Sequence, residues 1–299
     1  MSQEPWTIKR TLEWTTGYLG RHGDEHPRLS AEWLLSAATG VSRVELYVNF
    51  DKPLEPAELD RMHAGVERRA AGEPLQYVTG EMAFRHIVLR CERGVLIPRP
   101  ETEVLVDAAL EGVDAAVAAG REEPRVLEVG TGTGCIALSV ASERPGARVV
   151  ATDLSPDAVA LATRNREALG LEEVVDLVEC DLASGVDPQL MGTFDVLVSN
   201  PPYIPTRVLR EEVPAEVADH EPRLALDGGE DGLDVFRRIL DLAPAALAPG
   251  GTLAVELFEG HLDQAAALVR AQGGWSRVEV RDDLARRPRV LLAVRGGLA

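Results

Sequence analysis

The chain has 299 residues, of which 45% are hydrophobic, and a formal net charge of -18 at pH 7. This is enough apolar material for one large globular domain or two smaller ones, each with its own core. Such a negative charge repels polyanions, which argues against stable binding of nucleic acid, although short basic stretches such as RRAAG and ARRPR are present.

The sequence also argues against membranes, disulfides and metals. No apolar run approaches the roughly 18 residues needed to span a bilayer, and the start MSQEPWTIKR lacks the basic-then-apolar pattern of a secretory signal. We therefore expect a cytoplasmic protein. The three cysteines form no CxxC pair and the six histidines show no ligand spacing, so we predict neither a disulfide nor a bound metal.

The first 75 residues have the pattern of several short amphipathic helices. Ile8, Leu12 and Leu19 share one face of the first helix, and AEWLLSAAT and PAELDRMHAGVERRAA predict two more. We predict a small helical bundle over residues 1–75. In residues 76–100, FRHIVLR and GVLIP are separated by CERG, which predicts a β-hairpin that links the bundle to the rest of the chain.

From about residue 101 onward, predicted strands alternate with predicted helices. The strands RVLEVG, ARVVATD, VVDLVECD, FDVLVSN and GTLAVEL have helical patterns between them, which indicates a parallel sheet covered by helices on both faces. The closing strands SRVEVR and RVLLAVR lie too close together for a helical crossover and must be antiparallel. We predict an α/β fold with a Rossmann-like sheet of seven strands over residues 101–299.

A glycine-rich loop follows the first strand of this predicted sheet. In LEVGTGTGCIAL, Gly130, Gly132 and Gly134 permit a tight turn and let backbone amides approach a ligand at the start of the next helix. Asp153 ends the next strand, where a carboxylate can accept hydrogen bonds from both hydroxyls of a ribose. The loop and the acid together predict a cofactor of the nucleoside type.

The spacing of the loop favours S-adenosylmethionine over a dinucleotide. The dinucleotide fingerprint is G-x-G-x-x-G, whereas this loop is G-x-G-x-G and follows the acidic Glu128, which suits a cationic ligand without phosphate. Asp181 closes the third strand, where the adenine would lie, and Leu182 beside it can pack on that ring. The alternative for Asp181 is a structural role as the cap of a turn or helix.

The stretch SNPPYIP, residues 199–205, ends the fourth strand. An Asn-Pro pair is an ordinary turn opener, but in this topology the fourth strand lies beside the first, so Asn200 should face the reactive methyl group. The side-chain carbonyl of Asn200 and the backbone carbonyl of Pro201 can accept the two N–H bonds of a planar NH2 group, against which the ring of Tyr203 can stack.

This arrangement suits a weak nitrogen nucleophile. The lone pair of an amide or aniline-like nitrogen is delocalised, so hydrogen bonds that strengthen as positive charge develops on the nitrogen stabilise the transition state. Alignment of the nitrogen with the methyl–sulfur bond supplies the rest, and no general base is required.

Several stretches together resemble a known family. They are GEPLQYVTGEMAFRHIVL, VLIPRPETEVLVD, LEVGTGTGCIALS, NPPYIP, HEPRLALDGGEDGLDVFRRI and APGGTLAVEL. Over nearly the whole chain they resemble the peptide chain release factor glutamine methyltransferases, the PrmC or HemK family. The PRPETE segment distinguishes this family from a sister family that methylates a ribosomal protein and has a PRSP-type sequence there.

The resemblance implies a fold, a reaction and a set of residues. It implies an S-adenosylmethionine-dependent methyltransferase, with S-adenosylhomocysteine as product, that methylates the glutamine in the GGQ motif of class 1 release factors. The N-terminal helical domain would dock the factor, and we expect a monomer. By motif, the cofactor residues would be Gly130, Thr131, Gly132, Thr133, Gly134, Asp153 and Leu182, and the substrate clamp would be Asn200, Pro201, Pro202 and Tyr203. One departure is Arg286, where the family usually has glycine.

The sequence leaves open the roles of two further segments and two rival functions. Arg99 and Glu101 form either a rigid ion-paired linker or a substrate contact. DGGEDGLD, residues 227–234, is either a turn with Asp231 as a helix cap or a loop that closes the site. The rival functions are methylation of an adenine amine in nucleic acid, and a protein that binds the cofactor without catalysis.

Overall fold

The computed structural model describes residues 5–297, in which the chain folds into two compact units. The first unit takes in the chain up to Glu81 together with Pro214–His220, and the second contains Met82–Val213 and the chain from Glu221 onward. Within the described residues, no helix combines the length and the apolar composition needed to cross a membrane.

The first unit is a helical bundle. Its helices are α1 (Ile8–Arg21), α2 (Pro27–Thr39), α3 (Arg43–Val48), α4 (Pro56–Ala70) and α5 (Leu75–Thr79). The predicted face of α1 is confirmed, because Ile8, Leu12 and Leu19 are all buried in the core of the bundle. Helix α3 begins with a capping box, in which Ser42 and Glu45 each accept a hydrogen bond from the other's backbone N–H.

Ion pairs tie distant parts of this first unit together. The guanidinium of Arg69 lies 2.8 Å from Asp24 and 2.9 Å from Glu216, which belongs to the separate segment 214–220. Glu32 is buried on α2, where desolvation would raise its pKa, but hydrogen bonds from Tyr47 and from two arginines lower that pKa to about 2. The segment 214–220 is thus held by a partly buried ion pair within the bundle.

The β-hairpin lies earlier than we predicted. Its strands are β1 (Glu81–Phe84) and β2 (Ile87–Arg90), so the turn falls inside FRHIVLR, and GVLIP forms no strand. Arg85 in the turn has a φ of +50° and donates hydrogen bonds to Glu143 and Asp107. These long-range contacts hold a residue in the left-handed region that its own sequence does not favour.

The second unit contains the predicted α/β sheet. Its elements are α6 (Thr102–Ala118), β3 (Arg125–Val129), α7 (Cys135–Glu143), β4 (Arg148–Asp153), α8 (Pro156–Leu169), β5 (Val175–Glu179), β6 (Phe194–Ser199), α9 (Thr206–Glu211), α11 (Asp234–Ala246), β7 (Leu247–Glu256), α12 (Leu262–Gln272), β8 (Trp275–Asp282) and β9 (Pro288–Arg295), while α10 (Ala215–Ala218) belongs to the first unit. Helix α6 was not predicted from the sequence.

The seven strands lie in the order β5-β4-β3-β6-β7-β9-β8. The pairs from β5 to β7 are parallel, and β9 is antiparallel to both β7 and β8, so the predicted sheet is confirmed. One apolar layer packs the sheet against α6 and α7, and another packs it against α11 and α12. Strand order reverses between β3 and β6, which places the ligand crevice at their carboxyl ends.

Arg286 lies in the turn between β8 and β9 with a φ of +61°. This is the left-handed region in which glycine carries no steric penalty, which accounts for glycine as the residue expected there. The turn is held by Asp283, whose carboxylate accepts hydrogen bonds from the backbone N–H groups of Ala285 and Arg287. The turn therefore forms with arginine in place of glycine.

Candidate active site

A cavity opens at the carboxyl ends of β3, β4 and β6, where the strand order reverses. Seven of the residues predicted to form the site line this cavity: Gly130, Gly132, Asp153, Asp181, Leu182, Asn200 and Pro202. The remaining lining residues are Gly94, Val95, Leu96, Val129, Thr152, Leu154, Ser155, Ala158, Cys180, Pro222, Leu224, Ala225, Asp227, Val235 and Arg238.

The glycine loop adopts a conformation that few other residues allow. Gly130, Gly132 and Gly134 all have φ values between +56° and +86°. The carbonyl of Thr152 accepts hydrogen bonds from the N–H groups of Gly130 and Thr131 at 2.8 and 2.9 Å, which fixes the loop on β4. Three residues of the glycine loop that were predicted to bind the cofactor do not line the cavity: Thr131, Thr133 and Gly134. The two threonines are buried behind the loop, and Gly134 is the N-cap of α7.

Asp153 has the geometry for binding a diol. One carboxylate oxygen accepts a hydrogen bond from the N–H of Gly132, and the other accepts one from the N–H of Ser155, both at 2.9 Å. Burial raises the pKa of this carboxyl, and the backbone hydrogen bonds oppose that rise. Each oxygen keeps a further lone pair, so the side chain can accept hydrogen bonds from two neighbouring hydroxyls.

Glu128 does not line the cavity, contrary to our expectation of a direct contact with a cationic ligand. Its side chain is fully buried, and one oxygen accepts hydrogen bonds from the hydroxyl of Thr131 at 2.7 Å and from the N–H of Ala137 at 3.0 Å. Burial raises the pKa of Glu128 to about 8, so this acid is neutral near pH 7 and supplies little negative charge.

The variant Glu128→Gln should therefore lose a pH dependence of stability. Between the ordinary pKa of 4.5 and about 8, the unfolded chain has lost the Glu128 proton while the folded protein keeps it. The free energy of unfolding of the wild type then falls as pH rises, by at most about 1.4 kcal/mol per pH unit. Glutamine keeps the acceptor oxygen and cannot ionise. As pH rises to about 8, the melting temperature of the variant should therefore increase relative to that of the wild type. A constant difference in melting temperature would contradict this.

Asp181 and Leu182 line the side of the cavity that follows β5. The carboxylate of Asp181 lies 2.6 Å from a guanidinium nitrogen of Arg238, and both side chains are about half exposed. Leu182 has a φ of +53° and its carbonyl accepts a hydrogen bond from Thr152. Asp181 is thus an ion-paired wall residue, and the hydrogen bonds of the structure do not use its carboxylate as a helix cap.

Asn200, at the end of β6, has a side-chain carbonyl that accepts no hydrogen bond from the residues that the structure describes. Its side-chain NH2 donates a hydrogen bond to the hydroxyl of Thr102, at 3.2 Å, so the amide is oriented with its NH2 group toward α6. The preceding Ser199 donates to the carbonyl of Val129 at 2.6 Å, which joins β6 to β3 beside the glycine loop. Of the remaining clamp residues, Pro202 lines the cavity, whereas Pro201 and Tyr203 do not.

The segment after Asn200 is held by the glycine-rich loop 227–234. The N–H of Ile204 donates to Leu226, and the carbonyl of Ile204 accepts from Gly228 at 2.8 Å, so the two segments form a short parallel bridge. A Cβ at Gly228 would lie 2.7 Å from the Cα of Tyr203, and one at Gly232 would lie 2.5 Å from its carbonyl oxygen. These glycines therefore permit the close approach that fixes the backbone around Tyr203. Burial raises the pKa of Tyr203 to about 12, so its hydroxyl stays protonated.

The structure bears on the two segments whose roles the sequence left open, the linker at Arg99 and the loop 227–234. Arg99 forms an ion pair with the buried Glu221, which also accepts a hydrogen bond from the N–H of Ile97 at 3.2 Å, as expected for a rigid linker. Asp231 accepts a hydrogen bond from the N–H of Leu233, the residue that precedes α11, and pairs with Arg237. It therefore fixes the turn that leads into α11 but does not cap the helix, because the N-cap is Leu233 and no side chain of the described residues caps it.

Sequence reasoning missed several residues of the site. Leu154, Leu224 and Val235 give the cavity apolar walls, and Thr102 orients Asn200. Leu154 directly follows Asp153, so its position in the chain was a usable signal. Val95 and Leu96 were assigned to a strand, and only the irregular path of GVLIP brings them to the cavity.

The lining suits a nucleoside with a cationic sulfur better than a dinucleotide. Asp153 can bind a diol, and the leucines and Val235 offer apolar surface to a planar ring. Among the lining residues of this cavity, the only cationic side chain is Arg238, and it is already paired with Asp181. A pyrophosphate would find no free cation there, whereas S-adenosylmethionine has no phosphate that would need one.

Comparisons with known protein families and curated proteins give a consistent result. Residues 10–80 match the family described as PrmC N-terminal domain, and residues 113–230 match the methyltransferase small domain. The chain is 49% identical to a release factor glutamine methyltransferase of Geobacter sulfurreducens, over 88% of this chain and 89% of that protein. It is 42% identical to the protein of the same name from Deinococcus radiodurans, over 97% and 99% of the two chains.

Solved structures resemble the chain at lower identity. The N-terminal domain of human METTL16 in complex with SAH is 17% identical, with a TM-score of 0.50 and coverage of 94% of each chain. A methyltransferase from Pyrococcus furiosus is 22% identical, with a TM-score of 0.50 over 70% of this chain and 88% of that one. At these identities the likeness shows the fold alone.

Proposed function

Because the chain belongs to the family of release factor glutamine methyltransferases, we propose that it methylates the side-chain amide nitrogen of the glutamine in the GGQ motif of class 1 peptide chain release factors. The methyl donor is S-adenosylmethionine and the product is N5-methylglutamine, a modification that supports translation termination. The observation that carries this proposal is the oriented amide of Asn200, whose carbonyl is free at a cavity that also contains Asp153.

The residues that would hold the cofactor lie at or just after the carboxyl ends of β3, β4 and β5. Asp153 accepts hydrogen bonds from the ribose hydroxyls, Leu154 and Leu182 pack on the adenine, and Gly130 and Gly132 let the backbone approach the ligand. When bound, S-adenosylmethionine supplies an electrophilic methyl group. Glu128 is buried away from the ligand, whereas Asp153 and Asp181 both line the cavity.

The clamp supplies acceptors for the substrate amide. The side-chain carbonyl of Asn200 and the backbone carbonyl of Pro201 accept the two N–H bonds of the glutamine NH2, and Pro202 restricts the backbone that carries them. These hydrogen bonds strengthen as the nitrogen becomes positive, so they stabilise the transition state more than the ground state. The methylated amide cation is strongly acidic, so its proton leaves without a dedicated general base.

Adenine-amino methylation remains the closest rival chemistry, because an exocyclic amine presents the same two N–H bonds. A net charge of -18 opposes binding of a polyanionic substrate. The relatives of this chain at 49% and 42% identity carry the name of a protein-glutamine enzyme. The first unit, which matches the PrmC N-terminal domain over residues 10–80, is the part that we assign to docking of the release factor.

The decisive experiment is a transfer assay with a matched substrate. We expect purified protein and methyl-labelled S-adenosylmethionine to label a class 1 release factor, and to leave unlabelled the same factor with the GGQ glutamine changed to alanine. Duplex and single-stranded DNA in parallel reactions test the rival chemistry. Equal label on both forms of the factor would reject the acceptor residue, and label on DNA alone would reject the proposed function.

A further inference from the structure

A buried acid beside the clamp has no role in the chemistry described so far. Glu256 ends β7 and is 1% exposed, and neither of its carboxylate oxygens has a hydrogen-bond partner among the described residues. Burial raises the pKa of this carboxyl, and the nearby hydroxyl of Thr102 lowers it. Buried polar groups are nearly always satisfied in folded proteins, so an exception beside a candidate active site calls for an explanation.

The register of the sheet places this acid next to Asn200. Strands β6 and β7 are parallel, and Ser199 lies opposite Val255. Asn200 and Glu256 directly follow these two residues and therefore lie next to each other at the ends of the two strands. Val198 and Ala254, two residues earlier on each strand, both pack in the layer that contains α6. Side chains alternate between the faces of a sheet, so Asn200 and Glu256 point toward the start of α6, where Thr102 lies.

A hydroxyl between an amide and a carboxylate determines which way the amide faces. An ionised carboxylate attracts the positive end of a nearby hydroxyl dipole, so the Thr102 proton is directed toward Glu256. The Thr102 oxygen is then left to accept, and it accepts from the NH2 group of Asn200 at 3.2 Å. The Asn200 carbonyl must consequently face away from Thr102, which is the orientation that the substrate amide requires.

We propose that Thr102 and Glu256 are positioning residues: the Glu256 carboxylate attracts the Thr102 proton, and the Thr102 oxygen holds the Asn200 amide with its carbonyl toward the substrate. The inference rests on the proposed function, because only a substrate with N–H bonds needs that orientation. A flipped Asn200 would direct its own N–H bonds at those of the substrate, and the acceptor that stabilises the developing positive charge would be lost.

The charge of Glu256 also gives the reaction a dependence on pH. Burial raises the pKa of Glu256 to about 7, and a protonated Glu256 can donate to Thr102, which frees that hydroxyl to donate to a flipped Asn200. The other groups that act on Glu256 come from the linker, α7, the clamp and β9: Arg99, Glu101, Cys135, Tyr203 and Arg289. The two arginines favour its ionised form and Glu101 opposes it.

Kinetics of three variants test the proposal on the full chain. We expect Thr102→Val to lower kcat by roughly 10- to 100-fold, as for other residues that orient a reacting group, with the Kd for S-adenosylmethionine unchanged. Thr102→Ser should restore most of the rate. Glu256→Gln should abolish the fall in kcat below about pH 7. Ser139→Ala removes another buried hydroxyl in the same unit, one without a hydrogen-bond partner, and should change neither quantity.

A spectroscopic test needs no substrate. The chain has three asparagines, Asn49, Asn165 and Asn200, so protein labelled with 15N-asparagine gives three side-chain NH2 signals, and Asn200→Ala identifies one of them. We expect the Asn200 signal to titrate in the wild type and to be independent of pH in Glu256→Gln. A wild-type signal that does not titrate, or full activity in Thr102→Val, overturns the positioning role. Absence of transfer by the wild type rejects the proposed function instead.

Discussion

Replacing Asn200 by alanine is expected to lower kcat for release factor methylation by about two to three orders of magnitude, the loss typical of removing one hydrogen-bond partner of a transition state. Alanine removes the carbonyl that accepts from the substrate amide, while the backbone carbonyl of Pro201 remains. Asp153 and the glycine loop are untouched, so the Kd for S-adenosylmethionine should change little.

Single-turnover assays with saturating cofactor measure this effect, and calorimetry on the same samples measures cofactor affinity. Ser139→Ala serves again as the control for a small buried change in this unit. Turnover at the wild-type rate in Asn200→Ala would reject the clamp as the source of transition-state stabilisation. A large loss of cofactor affinity would instead indicate that Asn200 binds the cofactor.

Asp153→Ala is expected to weaken S-adenosylmethionine binding by at least 10- to 100-fold, because hydrogen bonds to a charged group contribute about 1.5–3 kcal/mol each. The variant loses both ribose contacts and also the acceptor that fixes the N–H of Gly132. Isothermal calorimetry gives the Kd directly. Asp176→Ala, an exposed acid on the neighbouring strand β5, is the matched control for the change in net charge.

Measurements on Asp153→Ala separate two possible causes of weaker cofactor binding. Weaker binding with an unchanged melting temperature of the free protein assigns the loss to the ribose contacts. A lower melting temperature together with weaker binding assigns part of it to the loop, which Asp153 also holds. An unchanged Kd removes Asp153 from the binding site.

Much of the fold follows from local patterns in the sequence. The alternation of apolar strands with amphipathic helices after residue 101 predicts the parallel sheet, and the short spacing between the last two strands predicts their antiparallel pairing. Three features did not follow from such patterns. The hairpin turn at Arg85 depends on ion pairs with residues far along the chain, helix α6 begins directly after a proline-rich segment, and residues 214–220 join a unit more than a hundred residues away.

The site divides in the same way. Gly130, Gly132, Asp153 and Asn200 could be placed because each follows a strand of predictable position, and parallel strands bring their carboxyl ends to one edge of the sheet. The position of Thr102 could not be predicted, because it contacts Asn200 only through the packing of α6 on β6, and the two residues are 98 positions apart in the sequence. Glu128 shows its charge in the sequence, but the burial that neutralises it is a property of the fold.

The first unit is built from two separate segments of the chain, which limits how it can be exchanged with the corresponding unit of a relative. Residues up to 81 and residues 214–220 fold together, so the chain passes between the units three times. A chimaera that takes only the first 81 residues from a relative keeps Arg69 or its equivalent but separates it from the residue that evolved opposite it at position 216. Exchange of the first unit between this protein and a relative therefore requires two segments to be inherited together, which makes inheritance by a single crossover unfavourable.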